Sequence, residues 1–296
     1  MQKHRQETIG EILVGLLLVI QAFAPVGMHY GATQMPQIQF LAYVTILSSV
    51  LFIGISLYRR EFKNLLDKKA LLHLFAYTFL FAMSYGMIVY ATRYSSAIET
   101  TLLTQSEIIF AGIFGWIVLK ERMSGNKLLG IFAILTANIL ILYGGKLSFT
   151  VANLALFFAP VFFVFGNAIA KNLQKEGISW SLILSFRMFV GGLILLTIAG
   201  FAEGLKLPPT ELWPFILLFT FSAFGIGKIL WQMALYRLDL SKITAIGIGS
   251  PAVSLLIAFL WLGEIPSGNQ WLGILLVCIG TVFLLKTHSK QWEGEG

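Results

Sequence analysis

The amino-acid sequence predicts an all-α integral membrane protein whose ten transmembrane helices form two inverted repeats of five helices. Three observations lead to this fold class. Of the 296 residues, 57% are hydrophobic and only 12% are charged, with a mean hydropathy of +0.82. The chain has ten apolar runs long enough to cross a bilayer, and one motif occurs twice, beginning at residues 119 and 262.

The composition excludes an ordinary soluble domain. Such domains carry about a quarter charged residues, which would be roughly seventy in a chain of this length. This chain has 21 Lys and Arg and 14 Asp and Glu, half of that number. Although the net charge is +7, the basic residues are dispersed over short loops without a basic stripe, so no nucleic-acid partner is predicted.

The apolar runs have the length of membrane spans, since a helix needs about 20 residues to cross roughly 30 Å of hydrocarbon. The first begins like a signal peptide but lacks a small-x-small cleavage site before a polar domain, so it is interpreted as a retained span. The predicted spans are 9–30, 36–58, 70–92, 98–119, 127–145, 151–170, 180–202, 211–236, 243–262 and 269–286.

The basic residues predict the orientation. Of the 21 Lys and Arg residues, Arg93, Lys146 and Lys206 fall on one side, and Arg187 and Lys228 fall within spans, which leaves sixteen on the other side. Cytoplasmic loops carry the excess of Lys and Arg. A multi-pass protein of the cell membrane with both termini in the cytoplasm is therefore expected.

The repeated motif indicates an internal duplication. LKERMSGNKLLGI at 119–131 and LGEIPSGNQWLGI at 262–274 agree at eight of thirteen positions. Each copy lies between the fourth and fifth spans of its half, which predicts repeat units at 1–146 and 147–296. Because five is odd, the second unit enters the membrane from the opposite side. Inverted repeats provide a route to alternating access, although a duplicated scaffold that only packs is the alternative.

The motif also resembles a known family. The glutamate at the end of the fourth span of each half, in L-K-E and L-G-E, precedes a glycine-containing helix, and Pro251 lies within the ninth span. This pattern is similar to that of the EamA-like transporter family of the drug/metabolite transporter superfamily. The resemblance implies ten helices around a central cavity, lined mainly by spans 1, 3, 4, 6, 8 and 9. Ile108 departs from it, because many relatives have a proline at this position, as Pro251 is in the second half.

Glu107 is an acid in the middle of the fourth span, where a charged carboxylate costs about 3 kcal/mol on insertion scales. Thr100, Thr104 and Glu107 are spaced i, i+4, i+7 and share one helical face. We expect that face to line the cavity, where Glu107 would carry a proton or contact a substrate amine. The alternative is a protonated acid that hydrogen-bonds to a neighbouring helix.

Lys228 and Arg187 are the basic residues within spans. Lys228 is equivalent to Tyr85 under the 143-residue shift of the repeat, so both halves present a polar group to the centre. Lys228 is interpreted as binding a substrate carboxylate or pairing with Glu107, with snorkelling to the headgroups as the alternative. Arg187 is expected to snorkel or pair at the cytoplasmic rim.

The first helix of each half places a proline near an amide side chain. Gln21 lies near Pro25, and Asn167 lies near Pro160. Broken helices expose backbone polar groups that line transporter sites, whereas a simple kink is the alternative. Trp231 follows Lys228 by about one turn and offers stacking, unless it only packs against lipid. The predicted substrate-binding residues are Glu107, Lys228, Tyr85, Trp231, Gln21, Asn167 and Thr104.

Other polar residues are assigned structural roles. Glu121 and Glu264 end the fourth span of each half, and S-G-N-Q at 267–270 fits a capping box. His29 is expected to be interfacial and not a proton relay. Cys278, the one cysteine, lies in an apolar run, so no disulfide or thiolate metal site is predicted.

These features favour a secondary transporter, and specifically an exporter, of a small metabolite such as an amino acid, an amine or a drug-like compound. It would work by alternating access, driven by the substrate gradient or by protons, as a monomer or homodimer, without a cofactor. No H-E-x-x-H or G-x-x-x-x-G-K motif is present, so no enzymatic activity is expected. An integral membrane enzyme acting on lipid and a non-transporting membrane assembly subunit are the alternatives.

Overall fold

The computed structural model describes residues 2–62, 68–118, 124–142, 150–237 and 250–293. These residues form helices joined by short turns, with no β-strand among them. The helices are α1 (Gln2–Gln34), α2 (Gln37–Tyr58), α3 (Lys68–Thr92), α4 (Ala97–Leu103), α5 (Ser106–Ile117), α6 (Gly125–Leu142), α7 (Val151–Lys175), α8 (Trp180–Ala202), α9 (Trp213–Phe219), α10 (Gly227–Arg237), α11 (Ser250–Ile257) and α12 (Gly268–Glu293). Wide π-type turns at Thr220–Ile226 and Ala258–Leu262 join α9 to α10 and extend α11.

Six helical segments of the described chain are long and apolar enough to cross a membrane. They are Gly15–Gln34, Gln37–Tyr58, Lys68–Thr92, Val151–Lys175, Trp180–Ala202 and Thr210–Leu235, and shorter apolar helices accompany them. Large apolar side chains cover the outer surface of the bundle, such as Leu72 and Phe132, which are 68% and 69% exposed. An apolar outer surface is what lipid tails require.

The long helices alternate in direction between two ends of the bundle. At one end of the bundle α1, α3 and α8 begin, and α2, α7 and α10 end; we call it the Arg59 end. We call the opposite end of the bundle the Glu203 end. A carboxylate lies at a helix start at each end. Glu203 accepts hydrogen bonds from the backbone N–H groups of Ile38 and Gln39, both at 3.1 Å, and so caps α2. At the Arg59 end, Glu61 accepts a hydrogen bond from Ser181 in the first turn of α8.

Side chains of the chain itself determine where several helices begin and end. The hydroxyl groups of Ser96, Thr150 and Ser179 accept backbone N–H bonds at the starts of α4, α7 and α8. Gly177 follows α7 with a φ of +87°, a left-handed conformation that other residues rarely adopt. These local signals hold the helix ends in position around the centre of the bundle.

Helices pair across the two halves of the chain. The most extensive packing joins α2 with α8, α6 with α12 and α3 with α7, and α1 packs against α10. Each of these four pairs joins a helix of the first half of the chain to a helix of the second half.

The fourth predicted span is broken, whereas the sequence predicts a continuous helix over 98–119. The chain divides into α4 and α5 at Thr104 and Gln105. The Thr104 hydroxyl donates to the Thr100 carbonyl at 2.7 Å, and the Glu107 N–H bonds to the Thr104 carbonyl at 3.1 Å, three residues back. Side chains that compete for backbone carbonyls tighten a helical turn. The helix is therefore broken at Thr104 and Gln105, shortly before Glu107, even though no proline occupies position 108.

Candidate functional site

The centre of the bundle contains a cavity with a volume of about 210 Å³. It is lined by residues of α1, α3, α4, α5, α7, α8 and α10 and of the turn between α4 and α5. All seven residues predicted from the sequence to bind substrate lie on its wall, namely Glu107, Lys228, Tyr85, Trp231, Gln21, Asn167 and Thr104. Both prolines, Pro25 and Pro160, also line it.

The lining agrees in large part with the spans that the family resemblance implies. Spans 1, 3, 4, 6 and 8 all contribute, and span 7 adds Arg187. The ninth span was also expected, but none of its described residues lines the cavity. Residues 243–249, at its predicted start, lie outside the described part of the chain.

Glu107 lies in the first turn of α5 and is partly buried on the cavity wall. Among the described residues, its carboxylate has no hydrogen-bond or ion-pair partner. The alternative of a silent hydrogen bond to a neighbouring helix therefore has no partner in the described chain. Within the described part of the chain, the acid faces the cavity and no other group.

Lys228 points into the bundle and not toward a membrane surface. Its Nζ donates a hydrogen bond to the Tyr85 hydroxyl at 2.5 Å and lies 5.0 Å and 5.4 Å from the ring centres of Tyr85 and Phe224. The ring faces attract the cation. No ion pair within 4.0 Å joins Lys228 and Glu107 among the described residues, so the two opposite charges share the cavity without direct contact.

Both charged residues follow an irregular turn. Glu107 is the second residue of α5, after the break at Thr104 and Gln105, and Lys228 is the second residue after the π-type turn at Thr220–Ile226. Irregular helical turns expose backbone groups and occur frequently at functional sites.

Arg187 was expected at the cytoplasmic rim, and this expectation is wrong. Its side chain is 3% exposed and lines the central cavity. Nη1 donates to the Tyr77 hydroxyl, and the guanidinium carbon lies 4.5 Å from the centre of the Phe81 ring. The rings of α3 provide a cation–π surface that replaces the headgroups. Tyr77, Phe81 and Tyr85 recur every four residues, and this aromatic stripe is the sequence signal that could have predicted an internal cation.

A chain of buried polar side chains lies between the cavity and the Arg59 end. The Gln174 amide donates to the Gln232 carbonyl oxygen at 2.5 Å, and the Gln232 amide donates to the Tyr77 hydroxyl at 3.1 Å. With Arg187, these residues join α7, α10, α3 and α8. We call Gln174, Gln232, Tyr77 and Arg187 the polar layer. Beside it, Trp231 donates to Asn167 at 3.4 Å, so Trp231 is not merely a lipid-facing residue.

An aromatic cluster lies between the cavity and the Glu203 end. Tyr30 and Phe215 meet edge to face at 4.8 Å between ring centres, and Phe23 stacks on Trp261 at 5.4 Å. This aromatic layer consists of Phe23, Tyr30, Phe40, Phe215, Phe219 and Trp261.

Glu264 and His29 join helix ends near the aromatic layer. The Glu264 carboxylate accepts from the backbone N–H groups of Ala97 and Ile98, at 3.0 and 3.1 Å, and so caps α4. His29 bonds to the Thr92 carbonyl at 2.8 Å through Nδ1. The capping box at Ser267 and Gln270 is present, with bonds of 2.9 and 3.3 Å. Glu121 lies outside the described residues.

Comparison with known sequences identifies the family. A sequence model of the EamA-like transporter family matches residues 8–143 and again residues 150–286. The two matches together cover most of the chain.

Individual relatives are distant in sequence. The uncharacterized transporter YoaV of Bacillus subtilis is 22% identical over 295 residues, which cover 95% of this chain and 99% of YoaV. The uncharacterized transporter YyaM of the same species is 23% identical over 64% of this chain and 65% of YyaM. An uncharacterized transporter of Methanothermobacter thermautotrophicus is 24% identical over 66% of this chain and 58% of its own length. The chain thus spans less than two thirds of the last two proteins.

The fold also has a solved counterpart. One crystal structure aligns over 93% of this chain and 94% of its own, with a TM-score of 0.71 and 13% sequence identity. At this identity the likeness concerns the fold alone. With its long apolar helices, the chain is a multi-pass membrane protein, and it belongs to the EamA-like transporter family.

Proposed function

We propose that the chain is a secondary transporter that exports a small metabolite, such as an amino acid or an amine, by alternating access. The observation that carries this proposal is the central cavity, where Glu107 and Lys228 face the same space without forming an ion pair. Opposite charges buried for structure alone gain their attraction only through close contact. Charges that stay apart leave both groups available to a solute.

The cavity volume favours a small solute. Sites for drug-sized ligands usually measure about 300–1,000 Å³, whereas this cavity measures about 210 Å³. Of the substrate classes that the sequence left open, metabolites the size of an amino acid fit this space better than drug-like compounds.

We also propose that ten helices form two inverted units, 1–146 and 147–296. Three observations support this architecture. The family matches end at 143 and resume at 150. The pairs α1 with α10 and α3 with α7 join span 1 to span 8 and span 3 to span 6, which are equivalent pairs when the halves are exchanged. Tyr85 and Lys228, equivalent positions 143 residues apart, touch at 2.5 Å, as expected of positions beside a twofold axis.

Inverted units provide the mechanism of transport, because each half can adopt the conformation of the other and open the cavity to the opposite side. The Arg59 end would face the cytoplasm, since the basic residues favour that side. Glu107 would bind and release a proton as the cavity alternates. We propose no enzymatic activity for this site, and a monomer or a homodimer as the assembly.

Transport in proteoliposomes tests the proposal. Purified protein would be reconstituted and offered labelled amino acids, amines and nucleotide-related solutes, with and without an imposed pH gradient, beside protein-free vesicles. Saturable movement of an amino acid or amine is expected, and the pH gradient is expected to change its rate. Absence of saturable movement for every solute would contradict the proposed function.

A further inference from the structure

We propose that a groove on the outer surface of α2 binds one anionic phospholipid of the bilayer, with an acyl chain in the groove and the phosphate on Arg59. The groove is lined by six residues of α2 between Val50 and Arg59 and by Trp180 of α8, and it lies outside the central cavity. We call it the α2 groove. Binding there does not require that the chain transport a solute.

The α2 groove has the length of one acyl chain. Its residues form two rows at intervals of four along α2, one from Val50 to Tyr58 and one from Leu51 to Arg59. Val50 lies near the middle of α2, and Arg59 directly follows its last residue. At 1.5 Å per residue the groove is roughly 13 Å long, close to half of the roughly 30 Å of hydrocarbon in a bilayer. It therefore extends from the membrane surface to about the middle of the bilayer.

Gly54 forms a notch in this groove. It lies between Val50 and Tyr58, whose side chains are 67% and 90% exposed. A Cβ atom added at Gly54 would meet no atom within 4 Å, so no neighbouring helix of the chain requires a glycine here. A glycine within a helix costs about 1 kcal/mol relative to alanine. Because water finds too few hydrogen-bond partners at this depth, an acyl chain or another helix must fill the notch.

Aromatic and cationic groups lie at the surface end of the groove. The Arg59 guanidinium carbon lies 5.3 Å from the centre of the Trp180 ring. The Arg59 side chain is 48% exposed, its ion pair with Glu61 spans 3.9 Å, and it makes no hydrogen bond to the described residues. Arg60, also exposed, follows directly. Tyr and Trp side chains are enriched at the headgroup level, and a guanidinium group presents paired N–H donors to phosphate oxygens. This end of the groove therefore suits a phospholipid headgroup.

The corresponding surface of α8 lacks both features. Under the 143-residue shift, Gly54 corresponds to Thr197 and Arg59 to Ala202. Thr197 is exposed and carries a side chain where Gly54 has none, and Ala202 carries no charge. The lipid site is therefore expected at the Arg59 end alone. On the orientation proposed above, this end faces the cytoplasmic leaflet, whose anionic lipids attract basic residues.

Charge favours a phospholipid over a second copy of the chain. A glycine on a membrane helix also permits close packing against another helix. A twofold dimer through α2 would place the same surface patch of each copy against the other, so Arg59 and Arg60 of both copies would meet. Like charges disfavour this contact, whereas a lipid phosphate complements them.

Native mass spectrometry of the purified protein in detergent tests the site. The probes are dioleoyl phosphatidylglycerol and dioleoyl phosphatidylcholine, which have the same acyl chains, and the readout is the dissociation constant of the first bound lipid. We expect phosphatidylglycerol to bind more tightly. Arg59→Gln should weaken its binding by roughly fivefold, which corresponds to about 1 kcal/mol per basic residue at a membrane surface, and should leave phosphatidylcholine unchanged. Lys68→Gln, at an exposed residue of α3 outside the groove, should change neither.

Gly54→Leu tests the groove itself. Because the space around Gly54 is open, the added side chain should fill the notch without a clash, and the tightly bound first lipid should be lost for both headgroups. Gly15→Leu is the matched control, since Gly15 of α1 is also exposed and an added Cβ there also meets nothing within 4 Å. It should bind both lipids as the unmodified protein does. The thermal unfolding midpoint shows whether each variant is folded, and Gly54→Ala, which should weaken both lipids, replaces Gly54→Leu if the latter is not.

Four results would overturn the site. They are equal affinity for the two lipids, an unchanged preference in Arg59→Gln, unchanged lipid binding in the folded Gly54 variant, and equally tight binding of glycerol 3-phosphate, which has no acyl chain. A dimer that Gly54→Leu dissociates would show that a second copy occupies the groove, and would also overturn it. Transport in proteoliposomes is a separate readout, so loss of the lipid site would leave the proposed transport function standing, and absence of transport would leave the lipid site standing.

Discussion

Different side-chain chemistry lies toward the two ends of the cavity. Toward the Arg59 end lies the polar layer, where Gln232 is fully buried and bonds to both Gln174 and Tyr77. Toward the Glu203 end lies the aromatic layer, where rings meet at 4.8 to 6.1 Å between centres. The positions equivalent to the polar layer under the 143-residue shift are Gly31, Val44, Val89 and Thr220. The repeat proposed above therefore does not carry repeated chemistry.

This difference indicates how each end would open. Hydrogen bonds are directional, and water can replace each partner when the polar layer separates. Ring faces in the aromatic layer gain from burial in proportion to their area and would lose that gain if water entered. We therefore expect the polar layer to open at lower cost than the aromatic layer. The predictions below test this contrast from the largest expected effect to the smallest.

The largest effect is expected at Glu107, which lines the cavity between the polar layer and the aromatic layer. Glu107→Gln keeps nearly the same shape and hydrogen-bonding capacity but cannot ionise. If the layers only control access and the chemistry resides in the cavity, this variant should insert normally yet lose the dependence of transport on an imposed pH gradient. The measurement is uptake into proteoliposomes with and without the gradient. Glu211→Gln, at an exposed residue outside the cavity, serves as the control. An unchanged pH dependence in Glu107→Gln would leave the acid without a role in coupling.

The second prediction tests the close packing of the aromatic layer. A Cβ atom added at Gly31 would lie 2.2 Å from the Phe40 ring, which is fully buried against Phe215 and Phe219. Gly31→Ala should therefore lower the free energy of unfolding by about 1–3 kcal/mol, the usual cost of overpacking. SDS titration in mixed micelles measures it. Gly54→Ala, where nothing lies within 4 Å, should be neutral or stabilising. Equal free energies of unfolding for Gly31→Ala and Gly54→Ala would mean that the aromatic layer accommodates the added methyl group at little cost.

The sequence predicts the residues of the cavity better than it predicts the polar layer and the aromatic layer on either side of it. Glu107 and Lys228 were recognised because a charge within an apolar span is costly and so has few structural explanations. Gln21, Asn167 and Trp231 were recognised by their spacing from a proline or a charge. Each of these signals is local in the chain, and all of these residues line the cavity.

The features that the sequence did not predict depend on contacts that become known only in the folded structure. Arg187 was assigned to the rim because its depth in the span is compatible with snorkelling, and only packing against Tyr77 and Phe81 keeps it inside. The break before Glu107 was missed because Thr104 and Gln105 are not helix breakers by type. Their effect comes from side-chain bonds to the backbone. Neither feature follows from composition or periodicity.

The third prediction tests cooperation within the polar layer. Gln232→Leu removes the bonds to Gln174 and Tyr77 and should lower the free energy of unfolding by about 0.6–1.7 kcal/mol, the range of polar contacts between membrane helices. Gln174→Leu combined with Gln232→Leu should cost less than the sum of the two single changes, because the pair shares one bond. Thr197→Val, at an exposed residue whose hydroxyl bonds within its own helix, is the control. If the cost of the double variant equalled the sum of the two single costs, Gln174 and Gln232 would not be coupled, which would contradict the prediction.

The smallest effect is expected where one hydroxyl joins two helices outside both layers. Ser84 of α3 donates to the Ala159 carbonyl of α7 at 2.8 Å, and Ser254 of α11 donates to the Ala22 carbonyl of α1 at 2.6 Å. Each acceptor is a backbone carbonyl group within a helix. After Ser→Ala this carbonyl can still accept a hydrogen bond within its own helix, so neither variant leaves an acceptor without a partner. Ser84→Ala and Ser254→Ala should each cost about 0.6 kcal/mol, the average for such contacts, in the same SDS titration. In Gln232→Leu, by contrast, Gln174 loses its side-chain partner in a buried position. Should either serine variant cost as much as Gln232→Leu, the polar layer would be no more than a set of ordinary helix contacts. The contrast between the two ends would then depend on the aromatic layer alone.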